Sequence, residues 1–89
     1  MKFYIYAGDS SQAKHLAREM NLEKSCYQIV DRVEKLYGQR GGTMLLYGTW
    51  ELRNTNEIIQ VINRAKINGM SVLAVDDRVI HQMLERSTT

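Results

Sequence analysis

Gly8-Asp9-Ser10-Ser11-Gln12 is the first stretch whose residue types and spacing could hold a ligand. A glycine turn that opens a helix leaves free N–H groups at the positive end of the helix dipole, which suits a phosphate. Ser10 and Ser11 would add hydroxyl donors. Asp9 argues the other way, because a carboxylate there caps the helix and repels an anion. Neither the three-glycine dinucleotide fingerprint nor the lysine-bearing phosphate loop is complete. A second glycine, Gly48, closes another apolar run and leads into Thr49-Trp50-Glu51. Trp50, the only tryptophan, falls outside every apolar stripe. It offers a stacking platform or a partner anchor, with a cover over the core as the plain alternative. Arg53 could pair with Glu51, or hold an anion with Arg40 as a second cation. Gly8, Asp9, Ser10, Ser11, Gly48, Thr49, Trp50 and Arg53 together form a candidate site for a nucleotide or nucleotide-derived ligand.

Other chemistries find less support. Lys24, Arg32, Lys35 and Arg40 fall in one stretch with Tyr27 and Tyr37 interleaved, the composition of a nucleic-acid surface. Glu23, Asp31 and Glu34 dilute that charge and favour a solvated mixed face. Ser10, His15 and Asp31 do not make a catalytic triad, because a helix starting near Ser10 carries His15 away from it. Asp76 and Asp77 end an apolar run where catalytic carboxylates often stand, yet helix capping explains at least one of them. His15 and His81 lack neighbours at metal-ligand spacing, and no CxxC pair occurs. The sequence therefore predicts no catalytic group, no metal and no cofactor. The single cysteine, Cys26, reads as a small buried hydrophobe.

The elements that must position these residues follow from periodicity. Phe3–Ala7 is apolar on both faces, as in a buried central strand. Asp9 is a good N-cap with Gln12 at the capping-box position. Ala13, Leu16, Ala17 and Met20 then form one stripe of a helix over 10–20. Residues 25–38 fit either one helix or a strand at Tyr27–Val30 followed by a short helix over 32–37. The second reading is preferred, since three strands cover this many helices poorly. Thr43–Tyr47 is the second strongly apolar strand. Asn54 with Glu57 makes a capping box for a helix with Ile58, Val61, Ile62 and Ala65 inward, stopped by Gly69. Ser71–Val75 is another strand. Asp76 or Asp77 then caps a last helix bearing Val79, Ile80, Met83 and Leu84, and Ser87–Thr89 frays.

This alternation predicts an α/β fold, a small three-layer Rossmann-like sandwich on a four-stranded parallel sheet of order 2-1-3-4. Such sheets bind ligands at the carboxyl ends of their strands, where Gly8 and Gly48 fall. Eighty-nine residues with no linker make one domain. The chain is 44% hydrophobic and 25% charged, with a net charge of +2. That is ordinary globular usage with less basic bias than a dedicated nucleic-acid binder shows. No apolar run reaches the roughly 20 residues of a membrane helix, so a cytoplasmic location is expected and a membrane partner is not. Five tyrosines against one phenylalanine suit half-exposed sites and interfaces, which favours self-association.

On Tyr6-Ala7-Gly8 with Ala13–Ala17, on Leu36, Gly38, Arg40 and Gly41, and on Gly48-Thr49-Trp50, the chain resembles small phage-encoded Rossmann-like proteins of unknown function. The resemblance spans most of 3–75 and implies that fold and a phage context in the host cytoplasm. Tyr47-Gly48-Thr49-Trp50 and Glu57 are also similar to nucleoside deoxyribosyltransferase-like proteins. The chain departs from that second pattern in having no proline and a shortened Trp-to-Glu spacing, which speaks against glycosyl transfer. The reading that results is a small non-enzymatic, homo-oligomeric interaction module. A nucleotide-type ligand binder at the carboxyl edge is the alternative, and a weak nucleic-acid binder ranks third.

Overall fold

A computed structural model describes residues 2–76. Four strands, β1 (Phe3–Ala7), β2 (Tyr27–Ile29), β3 (Thr43–Tyr47) and β4 (Ser71–Val75), form one sheet of order β2-β1-β3-β4. All three pairings are parallel. Helix α1 (Ser10–Glu19) follows β1, and helix α2 (Thr55–Ile67) connects β3 to β4. Short 3-10 turns at Lys24–Cys26, Val33–Leu36 and Trp50–Leu52 complete the described chain. The α/β class, the parallel sheet and the strand order agree with the sequence reading. The last helix, expected from Val79, Ile80, Met83 and Leu84, lies outside the described residues, as do Asp77 and Ser87–Thr89.

Strand alternation sorts the core into two layers. Ile5, Ala7, Leu45, Tyr47 and Val75 point to one face and bury Ala13, Leu16 and Ala17 of α1. Tyr4, Tyr6, Met44 and Leu46 point to the other, against Leu36 and against Val61 and Ala65 of α2. Both faces of β1 and β3 are therefore dry, which is why those runs are apolar without alternation. The segment around 25–38 takes the strand-plus-turn form, with Tyr27–Ile29 as strand and Val33–Leu36 as a single 3-10 turn. Leu36, fully buried, seals the α2 layer there.

Two expectations need correction. Tyr4, Tyr6 and Tyr47 are 2%, 0% and 8% exposed, so most of the tyrosine bias serves the core rather than an interface. Their use inside is explained by the polar tip: Tyr4 donates to Gln39 Oε1 at one end of the sheet and Tyr6 to Glu57 Oε1 at the other. Cys26 is only half-buried, at the end of the Lys24–Cys26 turn that leads into the edge strand β2.

Candidate functional site

The two glycine turns lie side by side because β1 and β3 pair in register, with Ala7 opposite Tyr47. The side chain of Gln12 joins them. Its Oε1 accepts from the N–H of Gly8 at 3.0 Å and from the N–H of Thr49 at 2.9 Å, while its Nε2 donates to Thr49 Oγ1 at 3.0 Å. Asp9 is the helix cap the sequence predicts, accepting from Gln12 N at 2.8 Å. The amide of Gln12 does not complete a local capping box, however; it reaches Gly8 and crosses to the next strand's turn. A Cβ on Gly8 would run into Thr49 Oγ1, and one on Gly48 into Gln12 Oε1. Gly48 also has φ of +65°, a region that penalises side chains. Both glycines thus make room for a glutamine of the chain itself.

Arg53 closes the same crevice from the α2 side. Its Nε donates to Glu57 Oε1 at 2.7 Å, its Nη1 to the carbonyls of Ala7 and Gly8 at 3.1 Å, and its Nη2 to the carbonyl of Asp31 at 2.7 Å. The guanidinium carbon lies 4.9 Å from the centre of the Tyr6 ring. Four of the five N–H directions of an arginine are accounted for by these bonds. The ion pair is with Glu57, one helical turn on, and not with Glu51. Burial, reinforced by the bond to Glu57, pushes the Tyr6 hydroxyl up to about 12. Burial also disfavours the charge on Arg53. The bond to Glu57 and the nearby Tyr6 and Glu57 outweigh it and raise the arginine above its ordinary value. Neither Tyr6 nor Gln12 was among the candidate site residues, although Gln12 ends the Gly8–Gln12 stretch and stands at the capping-box position.

An open cleft of about 300 Å³ lies one strand further along the carboxyl edge, between the ends of β3 and β4. Tyr47, Gly48, Trp50, Glu51, Ala74, Val75 and Asp76 line it. Trp50 is half-buried and packs on the Tyr4–Tyr6–Leu46 layer, so it supports the core as well as walling the cleft. Among the described residues the lining carries two carboxylates and no cation. Of the predicted ligand residues, Gly48 and Trp50 line this cleft. Gly8, Thr49 and Arg53 belong to the filled crevice, Asp9 caps α1, and Ser10 is exposed in its first turn.

The four cations proposed for nucleic acid are not gathered on one surface. Arg32 stands beside Asp31 with Nε 3.7 Å from the carboxylate. Arg40 lines a different cleft with Ile67 and Asn68, at the end of the sheet opposite Arg53. Lys35 is exposed in the Val33–Leu36 turn. Lys24 joins Ser11, Lys14, Arg18 and Tyr27 around a cleft of about 450 Å³ beside α1.

No family model, curated protein or solved structure matches this chain. Among the described residues, no helix is long and apolar enough to cross a membrane. No group of three or more His, Cys, Asp or Glu among those residues is placed to hold a metal ion.

Proposed function

We propose that this chain is a small α/β binding module that takes a planar, phosphate-free ligand, of nucleobase or nucleoside type, in the cleft between β3 and β4. The cleft lined by Tyr47, Trp50, Glu51 and Asp76 carries this reading. It lies at the carboxyl edge, where parallel sheets hold ligands. Its aromatic wall suits a flat ring, and the carboxylate of Glu51 suits N–H donors. A phosphate is disfavoured there by Glu51 and Asp76, and by Asp9 at the α1 cap. Arg53, a candidate counter-charge, already serves Glu57 and three backbone carbonyls.

Thermal unfolding against matched nucleosides and nucleoside phosphates tests this. A nucleoside at 100 times its Kd stabilises the fold by about 2.7 kcal/mol. Its phosphate is expected to do less, and Trp50→Leu to abolish the effect. A flat response to every nucleoside, or a larger response to the phosphates, overturns the reading.

Self-association is the second reading, favoured by one observation. Among the described residues β4 pairs with β3 alone, and Leu73 is 44% exposed at the edge of a parallel sheet, an arrangement that sheets of this kind usually cover. Sedimentation across a hundredfold concentration range decides it. A dimer that Leu73→Lys dissociates supports this reading, and a strict monomer removes it.

A further inference from the structure

The cleft beside α1 has a different chemistry from the carboxyl edge. Ser11, Lys14 and Arg18 follow one another at spacings of three and four residues, which aligns them along one side of the helix. With a rise of 1.5 Å per residue, that line runs for about 10 Å. Lys24, from the turn before β2, and Tyr27, the first residue of β2, form the opposite wall. Three cations therefore face one concave surface of about 450 Å³ whose lining, among the described residues, includes no carboxylate.

Structural duties account for little of this charge. Arg18 lies in the last turn of α1, where a cation complements the helix dipole. Lys14 is mid-helix and gains nothing from it. Lys14 and Arg18, four residues apart, repel one another weakly. The nearest acid on the helix, Glu19, is directed to His15 at 3.8 Å. None of the three cations is ion-paired among the described residues. Tyr27 packs one side against the α1 core layer and presents the rest to the cleft.

We infer that this cleft binds a short stretch of single-stranded nucleic acid, with Lys14, Arg18 and Lys24 on successive phosphates and Tyr27 stacked on a base. Lys14 and Arg18 stand about 6 Å apart along α1, and Lys24 comes from the other side of the cleft. The charge is thus spread along the cleft and fits successive phosphates of a chain better than one isolated anion. The aromatic wall selects the single strand, since a duplex hides its base faces within the stack while an unpaired base is free to stack on tyrosine. The site shares Lys24 and Tyr27 with the basic stretch 24–40, but none of its other cations. It lies on the α1 side of the sheet and is independent of the β3–β4 cleft.

Fluorescence anisotropy with a labelled ten-nucleotide oligothymidine, titrated with the whole chain between 50 and 200 mM salt, tests the inference. Contact with three phosphates gives a slope of about −2 in log affinity against log salt. Lys14→Gln, Arg18→Gln and Lys24→Gln each reduce that slope by about 0.7. Tyr27→Leu weakens binding about tenfold, while Tyr27→Phe keeps the wild-type affinity. The pair Arg32→Gln and Arg40→Gln, away from the cleft, leaves affinity unchanged. Absence of binding at 50 mM salt overturns the proposal, as does an equal loss in the control pair. Equal affinity for an inorganic polyphosphate of matched charge, with no effect of Tyr27→Leu, overturns the assignment to nucleic acid.

Discussion

Two crevices open on the same carboxyl edge, one between β1 and β3 and the other between β3 and β4. The first lies where chain connections depart in opposite directions, the place where sheets of this type ordinarily receive a ligand. Here it is filled from within. Gln12 supplies the acceptor that a phosphate would otherwise bring to the Gly8 and Thr49 amides, and Arg53 supplies the donors that the strand-end carbonyls require. The second crevice is an open cleft with an aromatic wall and two carboxylates. Topology thus names an edge, and the side chains decide which part of that edge is open.

Replacing Arg53 is the strongest way to break this contrast. Arg53→Met leaves Glu57 without its cation and three carbonyls without a donor. The pair is about one-quarter exposed, with side chains at 20% and 31%, which places the cost at about 3 kcal/mol in urea unfolding. Nucleoside affinity at the β3–β4 cleft is expected to survive. An unchanged urea midpoint would show that the filled crevice is not structural. Gly48→Ala comes next. The positive φ costs roughly 1–2 kcal/mol, and displacement of Gln12 brings the total to about 2.

Alkaline pH sharpens the comparison without mutation. Tyr6 holds its proton in the folded chain to about pH 12, against 10.0 for an ordinary tyrosine. The stabilisation is fully present below pH 10 and is lost as pH rises toward 12, because the unfolded chain ionises first. The loss is on the order of 1–2 kcal/mol over that window, read from unfolding midpoints at each pH. Tyr6→Phe should flatten this part of the profile, and a wild-type profile no steeper than the variant's would remove the claim. Gln12→Glu is the mildest change. It keeps an acceptor for the two amides and loses only the Nε2 donation to Thr49, so about 0.5–1 kcal/mol is expected from the same measurement.

How much of this was readable in advance depends on the range of each interaction. β1, β3 and β4 were legible because apolar runs bounded by Gly8, Gly48 and Asp76 leave few alternatives. The Asn54 cap was legible because its bond to Glu57 N spans three residues. Gln12 was readable only as far as its local pattern went; its partner Thr49 is 37 residues away and is delivered by the β1–β3 register. Arg53 was assigned to Glu51 or to a ligand because nothing local reveals that Ala7, Gly8 and Asp31 turn their carbonyls toward it. The α1 cleft was half-written, since Lys14 and Arg18 share a helical side in any reading. Only the fold brings Lys24 and Tyr27 across from them.

Trp50 has one foot in the Tyr4–Tyr6 core layer and one in the open cleft. As the sole tryptophan of the chain, it is also the sole indole fluorophore. Excited selectively, the protein reports from that one position. Its emission should shift when the core loosens and be quenched when a flat ring occupies the cleft, so a single optical signal separates unfolding from occupancy without any added label.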